Sequence, residues 1–265
     1  MPAPPERLAL LRILVGLYSL VHLATQLRQQ LSFARFSPAQ FQPVGIASWL
    51  SGPPSAGLHG ALAVAALVAA IPFALGWRHR FSGPLFAALM LWGGTYRSSW
   101  GMIFHTENLL MLHVLVLAAA PGAADVLSLD ARRARRPESL APDPRYGWPL
   151  ALISLETTLA YLVAGVAKLR HSGLGWIGGD ALRHYIADNN LRKLQLGVWH
   201  SPVGAFLVRF GLLWKLLAGL TVAFEVGAPL ALVHPWAALA WSVTAWGFHA
   251  GVLATMAIVF GYPLC

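Results

Sequence analysis

The sequence has little charge for its length. Asp, Glu, Lys and Arg make up 11% of the 265 residues, whereas ordinary soluble domains carry about 25%. Hydrophobic residues reach 57%, and the mean hydropathy is +0.60. A soluble protein of this size could not bury that much apolar surface, but a bilayer covers it. Because no polar stretch is long enough to fold alone, we expect a single transmembrane domain over residues 1–265.

Cysteine is almost absent. The one cysteine, Cys265, is the last residue, which excludes an intrachain disulfide and a cysteine-based metal site. The H-E-x-x-H, P-loop, G-x-S-x-G and dinucleotide-binding motifs are also missing. The ten histidines have no metal-ligand spacing, and we predict no metal.

The net charge of +9 would indicate a nucleic-acid partner in a soluble protein. Here the basic residues cluster between apolar runs, where they face anionic lipid headgroups. No polar surface with interleaved aromatic and basic residues is present. We therefore expect membrane lipids as partners and no nucleic acid.

Apolar runs long enough to cross the hydrocarbon recur along the chain. The first contains Arg12 and lacks a clear cleavage site, so we interpret it as a retained helix rather than a signal peptide. The pattern predicts an all-α fold, a polytopic membrane helix bundle of about seven transmembrane helices of about 20 residues plus interfacial helices. The predicted spans are residues 8–27, 57–75, 83–104, 108–127, 149–168, 212–233 and 235–262.

The connecting segments differ in character. Residues 32–54 carry Pro, Gln and aromatics and predict an ordered interfacial segment, and residues 131–145 predict a basic loop. Residues 170–200 contain an apolar–basic pattern typical of an amphipathic helix on the membrane surface. Residues 203–211 predict a separate short helix. The last apolar run is long enough to tilt or to break near His249.

Lys and Arg near the helix ends predict the orientation in the cell membrane, because cytoplasmic loops carry an excess of them. A cytoplasmic N-terminus places the larger basic group on that side: Arg7, Arg78, Arg80, Arg132, Arg133, Arg135, Arg136 and Arg145. The opposite loops before the fifth span hold Arg28, Arg35 and Arg97. The loop after the fifth span favours the reverse orientation through Arg170, Arg183, Arg192 and Lys193. With the N-terminus cytoplasmic, Lys168 lies on the outer side.

Ionisable groups within a membrane cost at least about 2.5 kcal/mol on insertion scales, so each needs a partner or a purpose. In the first span, Arg12, Ser19, His22 and Gln26 fall on one helical stripe. This stripe is either a polar seam packed against the bundle, with Arg12 extending to the cytoplasmic surface, or part of a functional site.

The fifth span ends at Lys168. Ala160 and Ala164 precede it at four-residue steps, which predicts a face for close helix approach. Lys168 is therefore either an interfacial lysine or a reactive one. Glu225 lies in the middle of the sixth span, where it should pair with a cation or remain protonated. His249 lies equally deep in the last span, as a hydrogen-bonded core histidine or a functional one.

The turn RSSWGMIFHTENLL brings Arg97, His105, Glu107 and Asn108 together at the membrane surface. Titratable groups that lie this close shift one another's pKa, which is typical of reactive sites. The alternative is helix capping by Thr106 or Asn108, with Glu107 favoured electrostatically at a helix N-terminus.

The segment YLVAGVAKLRHSGLGWIGGDAL, residues 161–182, resembles the transmembrane domain of the vitamin K-dependent gamma-carboxylase family, also called the HTTM family. The likeness depends on a helix end A-G-V-x-K-L at residues 164–169, followed by Trp176 and Gly179. Supporting similarity is found in LLRILVG, in the HTENLL turn with the later SLD segment, in Glu225, and in the closing FHAGVLATMAIVFGYPL. The resemblance covers most of the chain.

The resemblance implies a particular chemistry. In the carboxylases, the lysine matching Lys168 is the base that deprotonates a reduced vitamin K. Oxygenation then makes a stronger base, which removes a proton from a glutamate side chain before carbon dioxide adds. At the edge of hydrocarbon a lysine loses solvation, which favours the neutral amine that can accept a proton.

The likeness also implies site residues. The expected catalytic residues, of which the last two orient or tune the first, are Lys168, His105 and Glu107. The residues expected to contact a reduced vitamin K or menaquinone are Trp176, Arg97, His249 and Glu225.

The carboxylases continue into a large extracytoplasmic domain that holds the protein substrate. We expect this chain to be a short form that lacks this domain and acts with a separately encoded extracytoplasmic protein. Whether it is an enzyme of the carboxylase or quinone-epoxidising type stays open. The alternative is a non-catalytic lipid-binding or assembly subunit of the DoxX-like type.

Overall fold

The regular elements of the described chain are α-helices and 3₁₀ turns, and the all-α prediction is confirmed. The computed structural model describes residues 2–101, 107–135 and 140–264. Within these ranges the only extended pairing is an isolated bridge between Ala3 and Asp143. The chain divides into two compact units, Met1–Ile153 and Ser154–Cys265.

The first unit contains the helices α1 Pro5–Ser32, α2 Ala56–Leu75, α3 His79–Ser98, α4 Asn108–Ala118 and α5 Leu129–Arg133. Helix α6, Pro144–Ser172, crosses the boundary between the units. The second unit continues with α7 Gly175–Gly178, α8 Ala181–Gln195, α9 Pro202–Leu207, α10 Gly211–Val226, α11 Pro235–Met256 and α12 Gly261–Leu264.

Four of the described helical stretches are long and apolar enough to cross a membrane, which indicates a membrane protein. They are Pro5–Arg35, Ala56–Leu75, Pro144–Ser172 and Pro235–Met256. The predicted count of about seven spans is not confirmed. Helix α4 has 11 residues and α10 has 16, and a helix of that length does not cross about 30 Å of hydrocarbon.

Three predicted helix ends are wrong. Helix α4 stops at Ala118 instead of residue 127, because Pro121, which has no N–H to donate, opens a 3₁₀ turn. Helix α10 stops at Val226 before Gly227, and Pro229 lies in the 3₁₀ turn that follows. Helix α11 stops at Met256 where Ala257 takes a left-handed φ of 51°, six residues short of the predicted 262 (262 − 256 = 6).

In the first unit, α1 packs on α2, α2 on α3 and α3 on α4. Gly16 allows the close approach of α1 to α2, because an added Cβ would lie 2.7 Å from the Ala74 Cβ. The predicted ordered segment after α1 is present as three 3₁₀ turns. Its residues Phe33 and Phe41 form a buried cluster with Tyr96 of α3, which fixes the segment on the helices.

Arg12 is fully buried in this unit, and its guanidinium donates to four backbone carbonyls. Nη1 donates to Phe73 O at 3.0 Å and to the Ala74 carbonyl, Nε to Ala123 O at 2.9 Å, and Nη2 to Leu127 O at 2.7 Å. The interpretation that Arg12 extends to the surface is wrong. The last carbonyls of α2 have no partner within the helix, so they provide acceptors inside the unit.

In the second unit, a helix is confirmed after Lys168 as α8, and the predicted short helix is α9. The placement of α8 on the membrane surface stays a prediction. Helix α8 caps the end of α11. Lys193 Nζ donates to Met256 O at 2.8 Å and to Ala257 O at 2.9 Å, and Asn190 Nδ2 donates to Thr255 O at 2.9 Å. Partial burial removes solvent from the ammonium and lowers the pKa of Lys193.

Candidate functional site

Helices α6 and α10 approach closely at Gly165. An added Cβ on Gly165 would lie 2.9 Å from the Glu225 Cβ and 3.0 Å from the Val226 backbone nitrogen. Gly165 is buried, whereas Ala160 is exposed. The prediction that Ala160 and Ala164 form the close-approach face is therefore wrong by one residue, and the missing side chain of glycine is what admits α10.

This close approach places Lys168 against Glu225. Lys168 Nζ lies 2.7 Å from each carboxylate oxygen of Glu225 and donates to both. The Glu225 side chain is 5% exposed and that of Lys168 is 23% exposed. The prediction that Glu225 pairs with a cation is confirmed. The pair combines a nearly buried carboxylate with an amine that remains partly accessible.

Trp176 of α7 lies beside the lysine, with its ring centroid 5.7 Å from Lys168 Nζ. Its indole Nε1–H is buried and has no hydrogen-bond partner among the described residues. The second unit also has an open apolar groove of about 560 Å³, and its lining includes Leu169 and Ile177, the residues that follow Lys168 and Trp176 in the sequence. A cation, an unused donor and an apolar surface thus occur in one part of the second unit.

A second polar pair links α6 to α11. The Tyr161 hydroxyl lies 2.5 Å from His249 Nε2. His249 is 4% exposed, and its Nδ1 has no hydrogen-bond partner in the described part of the chain. The rings of Trp241 and Phe224 surround Tyr161 at 4.9 and 5.3 Å between centroids. The helix α11 stays continuous through His249, so the alternative of a break at that position is wrong.

Sequence reasoning missed Tyr161 and Gly165 as site residues. Their spacing contains a usable signal, because residues 161, 165 and 168 follow the i, i+4, i+7 pattern of one helix face. A tyrosine, a glycine and a lysine on that face place a hydroxyl and an amine on either side of a close helix contact.

The first unit holds a separate polar cluster. Arg97, which is 7% exposed, donates through Nη1 to Glu107 Oε1, and His22 Nε2 lies 3.7 Å from the same oxygen. Glu107 immediately precedes α4 but makes no side-chain capping bond to it. His22, Gln26 and Glu107 line a cavity of about 270 Å³. Polar residues of the α1 stripe therefore face this cavity.

The predicted site residues fall into three groups. Lys168, Trp176, Glu225 and His249 belong to the second unit, and Arg97 and Glu107 belong to the first. His105 lies outside the described residues. The catalytic and cofactor-binding roles assigned to all seven stay predictions.

No three His, Cys, Asp or Glu side chains come together as potential metal ligands within the ranges that the structure describes. The expectation that the protein binds no metal stays a prediction.

Comparison with known proteins identifies one protein family that this chain matches over nearly its full length. A family model described as the HTTM domain matches residues 1–261. This domain is found in the membrane domains of vitamin K-dependent carboxylases. No curated protein and no solved structure matches the chain.

Proposed function

The chain belongs to the HTTM domain family, and from that membership we propose that it binds a reduced quinone and moves a proton at the Lys168–Glu225 pair. The protein is a multi-pass protein of the cell membrane with a cytoplasmic N-terminus. The single observation that carries the proposal is the double hydrogen bond from Lys168 Nζ to a carboxylate that is only 5% exposed.

The Lys168–Glu225 pair can work as a base. As an ion pair, the lysine nitrogen holds three protons and has no free lone pair. Transfer of one proton from Nζ to a Glu225 oxygen leaves a neutral amine beside a carboxylic acid. Apolar surroundings penalise the two charges through lost solvation, which brings the neutral form within reach.

The neutral Lys168 amine can then accept a proton from a hydroxyl group in its vicinity. The pair afterwards consists of an ammonium and a carboxylic acid, with one net positive charge. That positive charge stabilises the anion that the hydroxyl group becomes when it loses its proton. Such stabilisation is what a base needs in order to act on a weakly acidic hydroxyl.

The residues around the pair fit a quinone. The indole Nε1–H of Trp176 and the ring Nδ1 of His249 are buried and have no hydrogen-bond partner in the described chain. Each therefore offers an unused polar group to a ligand. The groove of the second unit that is lined by Leu169, Ile177 and Leu230 offers apolar surface. When bound, reduced vitamin K or menaquinone supplies, together with oxygen, the stronger base of the carboxylation chemistry.

A turnover assay tests the proposal. Purified protein in lipid nanodiscs receives reduced vitamin K or menaquinone with oxygen and bicarbonate, and the epoxide is followed by mass spectrometry. Lys168→Met should lower the rate by roughly 10²–10⁴-fold, the usual contribution of a positioned proton-transfer group. Lys215→Met is the matched control, because Lys215 is an exposed lysine of α10, and its loss should leave turnover unchanged.

The alternative is a non-catalytic lipid-binding or assembly subunit that acts with a separately encoded extracytoplasmic partner. Wild-type protein that forms no epoxide and binds no quinone saturably would contradict the enzyme proposal and favour this alternative. In that case, Lys168→Met/Glu225→Leu, which removes both charges of the pair, and Lys215→Met should have equally small effects on partner capture.

A further inference from the structure

The first unit contains an open groove of about 980 Å³. It extends from the first half of α1 and the end of α2 to the segment of residues 126–135. The apolar part of its lining includes Ile13, Leu17, Leu75 and Leu127, and the basic part consists of Arg132 and Arg135. The groove is therefore apolar along the helices and cationic at one end.

Arg12 holds the walls of this groove together. It belongs to α1, donates to Phe73 O and the Ala74 carbonyl at the end of α2, and donates to Leu127 O at 2.7 Å. Leu127 has a left-handed φ of 48° and a side chain that is 53% exposed. Because one buried guanidinium ties all three walls, the groove exists before any ligand enters it.

The basic end of the groove carries two arginines whose charges are not neutralised by an ion pair among the described residues. Arg132 and Arg135 make no ion pair there. The adjacent acid, Asp130, uses both carboxylate oxygens elsewhere, since Oδ1 accepts from Arg78 N and Oδ2 from His79 N, each at 2.8 Å. Within the part of the chain that the structure describes, both guanidinium groups therefore keep their donors for an external anion.

We propose that this groove binds one anionic glycerophospholipid. Its phosphate contacts Arg132 and Arg135, because a guanidinium presents paired N–H donors that match phosphate oxygens. An acyl chain lies along Ile13 and Leu17 of α1. Basic pockets between membrane helices recognise anionic headgroups in this way, and a zwitterionic lipid gains less from the two charges. The site is distinct from the quinone proposal in residues and in ligand.

Native mass spectrometry of the purified protein tests this site. The probes are phosphatidylglycerol and phosphatidylcholine with identical acyl chains. The wild type should retain one phosphatidylglycerol with a preference of roughly 10- to 30-fold, the effect of two arginines near a lipid headgroup. Arg132→Gln/Arg135→Gln should remove that preference. Arg7→Gln/Arg80→Gln, which changes two exposed arginines of the same unit, should keep it.

A second variant tests the apolar part without changing charge. Leu17→Trp should fill the groove and lower the retention of both lipids by a similar factor, while the thermal unfolding of the protein stays close to wild type. If Arg132→Gln/Arg135→Gln unfolds, Arg132→Lys/Arg135→Lys replaces it and should give an intermediate preference, since lysine keeps the charge but not the paired donors.

Three results would overturn the assignment. Equal retention of the two lipids by the wild type would exclude headgroup recognition. An unchanged preference in the arginine double variant would place any binding elsewhere. Displacement of the bound lipid by inorganic phosphate at equal concentration would identify a simple anion site instead of a phospholipid site.

Discussion

Lys168 Nζ donates to both carboxylate oxygens of Glu225 at 2.7 Å, beside the close contact of α6 and α10 at Gly165. The two residues are 57 positions apart in the chain, so the pair exists only because the helices pack at Gly165. The stability of this part of the second unit and the proton transfer proposed for the pair consequently depend on the same contact.

Removing one charge of the Lys168–Glu225 pair should destabilise the protein more than replacing both residues by apolar ones. Lys168→Met leaves a carboxylate that is 5% exposed without its cation, and we expect the free energy of unfolding to fall by about 3–5 kcal/mol. Lys168→Met/Glu225→Leu removes both charges and should recover most of that loss. Thermal unfolding in detergent measures both variants, and a double variant less stable than Lys168→Met would contradict the expectation.

Gly165 should tolerate no side chain. Gly165→Ala places a Cβ 2.9 Å from the Glu225 Cβ, so α10 must shift, and the Lys168–Glu225 hydrogen bonds should lengthen or break. Acylation of Lys168 by an amine-reactive reagent, read by peptide mass spectrometry, should increase. Gly247→Ala is the control, since Gly247 lies inside α11 with no atom within 4 Å of an added Cβ.

The control variant Gly247→Ala should itself change the stability of the protein slightly. Alanine is favoured over glycine inside a helix by about 0.5–1 kcal/mol, so Gly247→Ala should raise the melting temperature slightly while leaving Lys168 labelling unchanged. Equal labelling of Lys168 in the two variants would refute the role of Gly165.

Tyr161→Phe should destabilise the second unit through His249. The variant removes the hydroxyl that lies 2.5 Å from His249 Nε2, and His249 is then buried with neither ring nitrogen partnered in the described chain. An unsatisfied buried polar group costs about 1–3 kcal/mol. Tyr185→Phe, at a tyrosine that is 60% exposed, should unfold at the wild-type temperature, and a similar drop in both would count against the pairing.

Arg12→Met should be strongly destabilising for the first unit. It deprives the carbonyls of Phe73, Ala74, Ala123 and Leu127 of a buried donor, and hydrogen bonds from a charged group contribute about 1.5–3 kcal/mol each. Limited proteolysis should then cut near residue 127 at lower temperature than in the wild type. The exposed Arg7→Met serves as the comparison, and matching digestion patterns would reject the expectation.

Several features of the site were predictable because they follow from the local cost of burial. A carboxylate in the middle of an apolar run needs a cation, and Glu225 has one. The pattern after Lys168 predicts a short helix, and α8 is present there, while its position on the membrane surface stays a prediction. The partners were not predictable, because Lys168 and Glu225 meet through a glycine whose importance depends on what packs against it.

The partners of Arg12 were also not predictable from the sequence. Its position near the start of an apolar run is equally compatible with an arginine that reaches the headgroups and with one that caps backbone carbonyls inside the protein. The choice depends on where the end of α2 and the Leu127 segment lie in space. A single sequence contains the apolar run but not that arrangement.

Hydropathy and composition were sufficient to identify a helical membrane protein, since both report how each residue partitions between water and hydrocarbon. The lengths of α4 and α10, the cation that neutralises Glu225, the acceptors of Arg12 and the cationic groove beside α1 depend on packing between distant segments. Such contacts arise from shape and from the need to satisfy buried polar groups in three dimensions, and for that reason only the tertiary structure decided them.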